Sequence, residues 1–131
     1  MAKKILIIED QAQLRCMLAL ALRYMNYEPL EAEDGYAGIQ TSLKEHPDLV
    51  LLDLGLPGMS GIDTARKIKE NPQTGEIPIV ALTGWEPRQF ETQTRQVGMA
   101  AYLQKPVSIA TIIEQIESLT PPNTSQPSKS I

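Results

Sequence analysis

At 131 residues the chain has room for one compact domain with an ordinary core and none for a second folded unit. Against 12 basic residues stand 16 acidic ones, a formal net charge of -4 that favours solubility and leaves no electrostatic footprint for nucleic acid. Cys16 is the only cysteine, which excludes an internal disulfide; it lies in an apolar helical run, where it is expected to be a small core residue in a reducing compartment.

The apolar run Ile5-Leu6-Ile7-Ile8 comes after a basic start and is broken at once by Glu9-Asp10. It is too short for a signal peptide or a membrane span, so a cytoplasmic location is expected. Its apolar residues are continuous, as in a central strand covered on both faces. Leu14, Met17, Leu18, Ala21, Leu22 and Met25 then recur at helical spacing, and this sulfur-rich stripe is expected to face the core. Tyr27 to Ala32 reads as a weaker strand near a sheet edge, and Tyr36, Ile39 and Leu43 mark a second helix. His46, before Pro47 in a turn, reads as a surface residue.

Leu49-Val50-Leu51-Leu52 is a second fully apolar strand, closed by Asp53. Ile62, Ala65 and Ile68 mark the third helix, and Ile79-Val80-Ala81-Leu82 the next strand, ending in Thr83. Between Arg88 and Val97 only Phe90 and Val97 are large and apolar, so the fourth helix has little to bury; it is either an ordinary solvated helix or one able to shift. Ala101 to Leu103 is a short edge strand. The last helix is the plainest, with Ile109, Ile112, Ile113, Ile116 and Leu119 in register behind Ser108 as N-cap. Residues 121–131 turn to Pro, Ser, Thr, Asn and Gln and are expected to form a mobile tail beyond a domain spanning 1–120. Apolar runs of strand length alternate with amphipathic stretches throughout, the pattern of an α/β fold with five parallel strands and five helices.

In such a sheet, ligands bind beyond the carboxyl ends of the strands. Glu9-Asp10, Asp53, Thr83 and Lys105 all end strands and so fall on one rim. Three carboxylates together in a partly dry cleft repel, and a divalent cation relieves that repulsion. Oxygen ligands without a histidine favour Mg²⁺ over zinc. Taken alone, either acidic end is better read as a loop start or a helix cap, with Asp10 capping the helix near Ala12. Occurring together, they point to a metal site. Asp53 beside a cation can act as a nucleophile toward phosphorus, with Thr83 donating a hydrogen bond and Lys105 supplying positive charge. Lys105-Pro106 restricts the lysine to an extended backbone, and a cis bond there would turn its side chain inward.

The ordered set Ile7-Ile8-Glu9-Asp10, Asp48 through Gly61, Ala81-Leu82-Thr83-Gly84 and Tyr102-Leu103-Gln104-Lys105-Pro106 resembles the receiver domain of two-component response regulators, from Lys3 to about Leu119. The resemblance implies a doubly wound sheet of order 2-1-3-4-5 and phosphotransfer from a sensor histidine kinase or phosphotransfer protein to Asp53. It also implies Mg²⁺ at Glu9, Asp10, Asp53 and the Gly55 carbonyl, contacts from Thr83 and Lys105 to the phosphoryl group, and Tyr102 as the switch aromatic. As a half-buried tyrosine on an edge strand, Tyr102 would need no such role.

A chain of this kind is expected to be a signalling domain rather than a turnover enzyme, one that switches a downstream protein partner as a monomer or a weak phosphorylation-dependent dimer. Gly55 and Trp85 depart from commoner residues at positions that influence dephosphorylation, which leaves the lifetime of the phosphorylated state open. Three other readings compete. One is a receiver cut from a larger regulator or hybrid kinase. A Mg²⁺-dependent phosphohydrolase would usually want a second carboxylate where Gly55 stands. A flavodoxin-like nucleotide binder would want a phosphate loop where Glu9-Asp10-Gln11 stands.

Overall fold

Parallel strands that carry helices on both faces read as near-continuous apolar runs, and three of the five strands here do, over Ile5 to Ile8, Leu49 to Leu52 and Ile79 to Leu82. The computed structural model describes residues 2–84 and 87–121, with side chains left out from 87 to 90. In chain order the elements are β1 (Lys4–Ile8), α1 (Ala12–Tyr24), β2 (Glu28–Ala32), α2 (Gly35–Glu45), β3 (Leu49–Asp53), α3 (Gly61–Glu70), β4 (Ile79–Thr83), α4 (Pro87–Val97), β5 (Ala101–Gln104) and α5 (Ile109–Leu119). The strands form one parallel sheet in the order β2-β1-β3-β4-β5. The two weakest strands of the sequence, β2 and β5, are the edges, while β3 and β4 are buried at every position. Trp85, the side chain of Phe90 and the expected tail beyond Pro121 lie outside the described residues.

Two cores sandwich the sheet. On one face Ile5, Ile7, Leu49, Leu51, Val80 and Leu82 meet Leu18, Ala19 and Leu22 of α1 and Ile112 and Ile116 of α5. On the other, Leu6, Ile8, Val50, Leu52 and Ile79 meet Ala65 and Ile68 of α3, with Ala37 and Ile39 of α2 and Val97 of α4 at the margin.

Helix α1 departs from the expected stripe. Leu18, Ala19 and Leu22 are buried, whereas Met17 is 65% and Met25 46% exposed, and Cys16 is exposed as well. The segment from Cys16 to Leu22 is apolar nearly all the way round, so its own pattern allows more than one phase. Packing on β1 and α5 selects the phase that carries Arg15, Leu18, Ala19 and Leu22 inward.

In α2 the expected marker Tyr36 is 63% exposed, and the buried face consists of Gly35, Gly38 and Ser42. The helix sits too close for anything larger: a Cβ on Gly38 would lie 2.3 Å from Ile8 Cδ1. His46 closes α2 as a left-handed C-cap (φ 49) and is exposed, in keeping with a surface residue that ends a helix. In α4, Thr94 is the one buried side chain among those described, and Val97 is half-buried.

Capping follows composition in the remaining helices. Ser60 and Ser108 accept from Asp63 N and Thr111 N at the starts of α3 and α5, and Asp34 accepts from Ala37 N at the start of α2. The α3–β4 connection is closed by Lys69, whose ammonium donates to the carbonyls of Gly75 (3.1 Å) and Ile77 (2.8 Å). Burial pushes the Lys69 ammonium below its ordinary pKa. Lys69→Met keeps the apolar stem but leaves both carbonyls without this donor, and should cost about 1–3 kcal/mol. Urea unfolding with an unchanged m-value checks this, and an unshifted midpoint would mean that the loop holds without the ammonium.

Candidate active site

The register places the acidic residues before any side chain is considered. Ile8 pairs with Leu52, Asp53 with Leu82 and Thr83 with Gln104, so Glu9, Asp53, Thr83 and Lys105 all stand at the carboxyl edge of neighbouring strands. The main chain continues the ladder past the strand ends. Glu9 N donates to Ala32 O (3.0 Å), Leu54 N to Leu82 O (2.9 Å) and Lys105 N to Thr83 O (2.6 Å).

On this frame Glu9, Asp10 and Asp53 each bring a carboxylate oxygen within 4.8 Å of the others, the one such group among the described residues. Glu9 is fully buried, Asp53 nearly so, and Asp10 is exposed. Asp10 does not cap α1. The N-cap is Gln11, which makes no side-chain cap bond, while Gln11 N donates to Glu9 Oε2 at 3.2 Å. The helix-cap reading of Asp10 thus gives way to a carboxylate turned to the cluster's solvent side. A set of oxygen donors from three carboxylates, open on one side, fits a hard divalent cation such as Mg²⁺ and does not resemble a zinc site.

Lys105 reaches this cluster from the far end of the sheet. Its ammonium donates to Glu9 Oε1 at 2.9 Å and lies 3.5 Å from Asp53 Oδ2. The Lys105–Pro106 bond is cis, as the sequence allowed. Burial pushes the Glu9 carboxyl above its ordinary range, and the Asp53 charge adds to this; the bonds from Lys105 and Gln11 pull the other way without cancelling it. For Lys105 burial works downward, but the Glu9 bond and the two carboxylate charges outweigh it, and its pKa is raised.

Around Asp53 the β3–α3 loop is drawn tight. Gly55 N donates to Asp53 Oδ1 (3.0 Å), and Gly55 itself is exposed. Gly61, the first residue of α3, abuts the strand end so closely that a Cβ would fall 2.6 Å from Leu54 Cα and 2.7 Å from Asp53 O. Thr83 is buried, and a side-chain hydrogen bond joins it to half-buried Tyr102 on β5, whose phenol burial pushes upward. Thr83 and Tyr102, assigned separately by the resemblance, are therefore in contact.

Two residues were not singled out from the sequence. Gly61 appeared only as one glycine of the loop, and its close approach becomes visible once α3 is seen against Leu54. Arg15 donates through Nη1 to Glu9 O at 2.8 Å. The available signal was an arginine in helical register with Leu18, Ala19 and Leu22, a buried phase that the sequence alone does not select.

The chain matches the family model of the response regulator receiver domain over residues 5–117. It is 38% identical over 117 residues to the phosphate regulon transcriptional regulatory protein PhoB of Pseudomonas aeruginosa, covering 89% of this chain and 51% of that protein, so it spans about half of that relative. To the polar-differentiation response regulator DivK of Brucella ovis it is 30% identical over 118 residues, 90% of this chain and 96% of DivK. Among solved structures, the chemotaxis protein CheY4 of Vibrio cholerae superposes with a TM-score of 0.86 at 24% identity, over 91% of this chain and 99% of CheY4, a likeness of fold. The receiver domain of the sensor histidine kinase PA1611 of Pseudomonas aeruginosa, described with magnesium in its active site cleft, gives 0.83 at 25% identity over 91% of this chain and 98% of that domain. With the family model covering the sheet from β1 through α5, the chain belongs to the response regulator receiver domains of two-component signalling.

Proposed function

We propose that Asp53 accepts a phosphoryl group from the phosphohistidine of a sensor kinase or phosphotransfer protein, and that the modified domain changes its contacts with a downstream protein. The observation that carries this reading is the convergence of three carboxylate oxygens within 4.8 Å, with an ammonium among them and one side open. In the transfer, an Asp53 oxygen forms the new bond to phosphorus while the phosphorus–nitrogen bond breaks, its electron pair returning to the imidazole.

Glu9, Asp10 and Asp53 would hold Mg²⁺, with the Gly55 carbonyl as a further oxygen ligand, and the ion when bound offsets charge on the phosphoryl oxygens. Gly55 N steadies the nucleophile by its bond to Oδ1. Lys105, already 3.5 Å from Asp53, supplies a charge-assisted contact to the phosphoryl group, and Thr83 offers its hydroxyl. Tyr102, bonded to Thr83, would carry the change to the β5 edge. The domain signals from the cytoplasm, and among the described residues no helix is long and apolar enough to cross a membrane. Output acts through protein contact, as a monomer or a weak phosphorylation-dependent dimer.

Incubation with acetyl phosphate and Mg²⁺ should add one phosphoryl group by intact mass, absent when EDTA replaces Mg²⁺ and absent in Asp53→Ala. Undiminished labelling of that variant would place the modification elsewhere and sink the assignment.

The packing of Gly61 gives a second expectation. Its near neighbours are main-chain atoms of the nucleophile's own strand end and cannot rotate away, so Gly61→Ala must shift the start of α3 or the end of β3. Displacements of this order at a reacting group cost roughly 100-fold in rate. Labelling of Gly61→Ala, tracked by mass under conditions where circular dichroism shows it folded, should be slower by about that factor. A rate within about twofold of wild type would mean that the loop absorbs the methyl group without moving Asp53.

A further inference from the structure

Glu9 is held at four points. Its N–H donates to Ala32 O, Oε2 accepts from Gln11 N, Oε1 accepts from Lys105, and its carbonyl accepts from Arg15 Nη1 at 2.8 Å. The first belongs to the sheet, and the next two hold the carboxylate that the proposed chemistry uses. The fourth comes from a residue that this chemistry does not use.

Arg15 lies one turn into α1, on the inward stripe with Leu18, Ala19 and Leu22, which carries its guanidinium back over the end of β1. Its side chain is 17% exposed, and its Nε pairs with Glu31 Oε1 at 3.2 Å. Glu31 belongs to β2 and is 42% exposed, so as a salt bridge the pair contributes little to stability. Its effect is geometric: a planar fork held by β2 on one side fixes a main-chain carbonyl on the other. That carbonyl lies between the two residues whose carboxylates join Asp53 in the acidic cluster.

We propose that Arg15 is a positioning residue for the divalent-cation site. By fixing the main chain at Glu9 it sets the directions in which the Glu9 and Asp10 carboxylates leave the strand end. The proposal rests on the reading of Glu9, Asp10 and Asp53 as cation ligands. Two effects of Arg15 on a cation oppose each other. Its positive charge repels the ion, but that charge is shared with Glu31 and weakened by solvent and salt. Its hold on the ligand backbone favours the ion, and loss of such orienting partners typically weakens metal binding 10–100-fold. The geometric effect is the larger, and the two predict opposite signs for removal of the side chain.

The test is Mn²⁺ binding to the full chain, monitored by the free-ion signal in electron paramagnetic resonance, with melting temperatures taken separately in EDTA. Arg15→Ala should bind Mn²⁺ about tenfold more weakly than wild type. Arg15→Lys, which keeps the charge but has one ammonium for two acceptors, should recover part of the loss. Lys69→Met, destabilised far from the rim, should keep wild-type affinity and so separate positioning from general loss of stability. Equal or tighter binding by Arg15→Ala overturns the proposal, as does equal weakening in Lys69→Met. If wild type binds no Mn²⁺, the cation site itself falls and the proposal with it, whereas binding by wild type that Arg15→Ala retains removes Arg15 alone.

Discussion

A carboxylate with no exposure to water has to be compensated where it stands, and Glu9 is such a group. Removing an ion from water costs several kcal/mol even after relaxation. The compensation at the Glu9 carboxylate is drawn from two different places, Gln11 N at the start of α1 and the Lys105 ammonium past the end of β5, while Arg15 holds the carbonyl behind it. In the sheet order β5 is separated from β1 by β3 and β4, so Lys105 has to extend past the end of β3, and Asp53 lies beside its path. One buried charge thus ties β1 to the edge strand β5, past the residue proposed as nucleophile. The arrangement is unequal: Lys105 gains from the two carboxylates, while Glu9 stays above its ordinary range because burial exceeds what its partners return.

The same rim is held mechanically by close backbone approaches on the opposite face. Gly38 lets α2 lie on Ile8, the residue before Glu9, and Gly61 lets α3 lie on Leu54, the residue after Asp53. Gly35 is a third contact, where a Cβ would fall 2.2 Å from Thr64 Oγ1 and 3.3 Å from Met59. Two of these three glycines press against side chains that have some freedom to move. Gly61 alone presses against main chain, and its contact is the one next to the proposed nucleophile.

How much of the molecule was legible in the sequence depended on how many physical solutions each segment allowed. A run such as Leu49-Val50-Leu51-Leu52 suits little besides a strand covered on both faces, and its terminal Asp53 could only fall on the rim; the α/β class and the assembly of Glu9, Asp10 and Asp53 were legible for that reason, whereas the strand order came from the resemblance to receiver domains. Helix α1 was legible as a helix but not in its phase, because residues 16 to 22 are apolar on nearly every side and the choice is made by α5, distant in sequence. The error over Met17, Met25 and Cys16 and the omission of Arg15 are one and the same: the phase that leaves the sulfurs in solvent is the phase that turns the arginine inward. In α2 Ile39 packs at the core margin as expected, but Tyr36 misled because the fully buried surface is made of glycine and serine, whose burial an apolar stripe does not reveal.

The two halves of the sheet are unevenly secured. On the β1–β3 side the rim is fixed by α1, the Arg15 bridge and two glycine contacts, so a new charge on Asp53 has few ways to move it. On the β4–β5 side, α4 buries one described side chain, Thr94, and β5 is an edge strand with no fully buried residue. Segments with few buried contacts open at lower free energy than the core. A phosphoryl dianion on Asp53 would compete with Glu9 for Lys105 and draw on Thr83, and both of those groups belong to the weakly held side through β5 and the Thr83–Tyr102 bond. A switch triggered at the centre of the sheet would therefore be expressed at its β5 edge, because that is where rearrangement costs least.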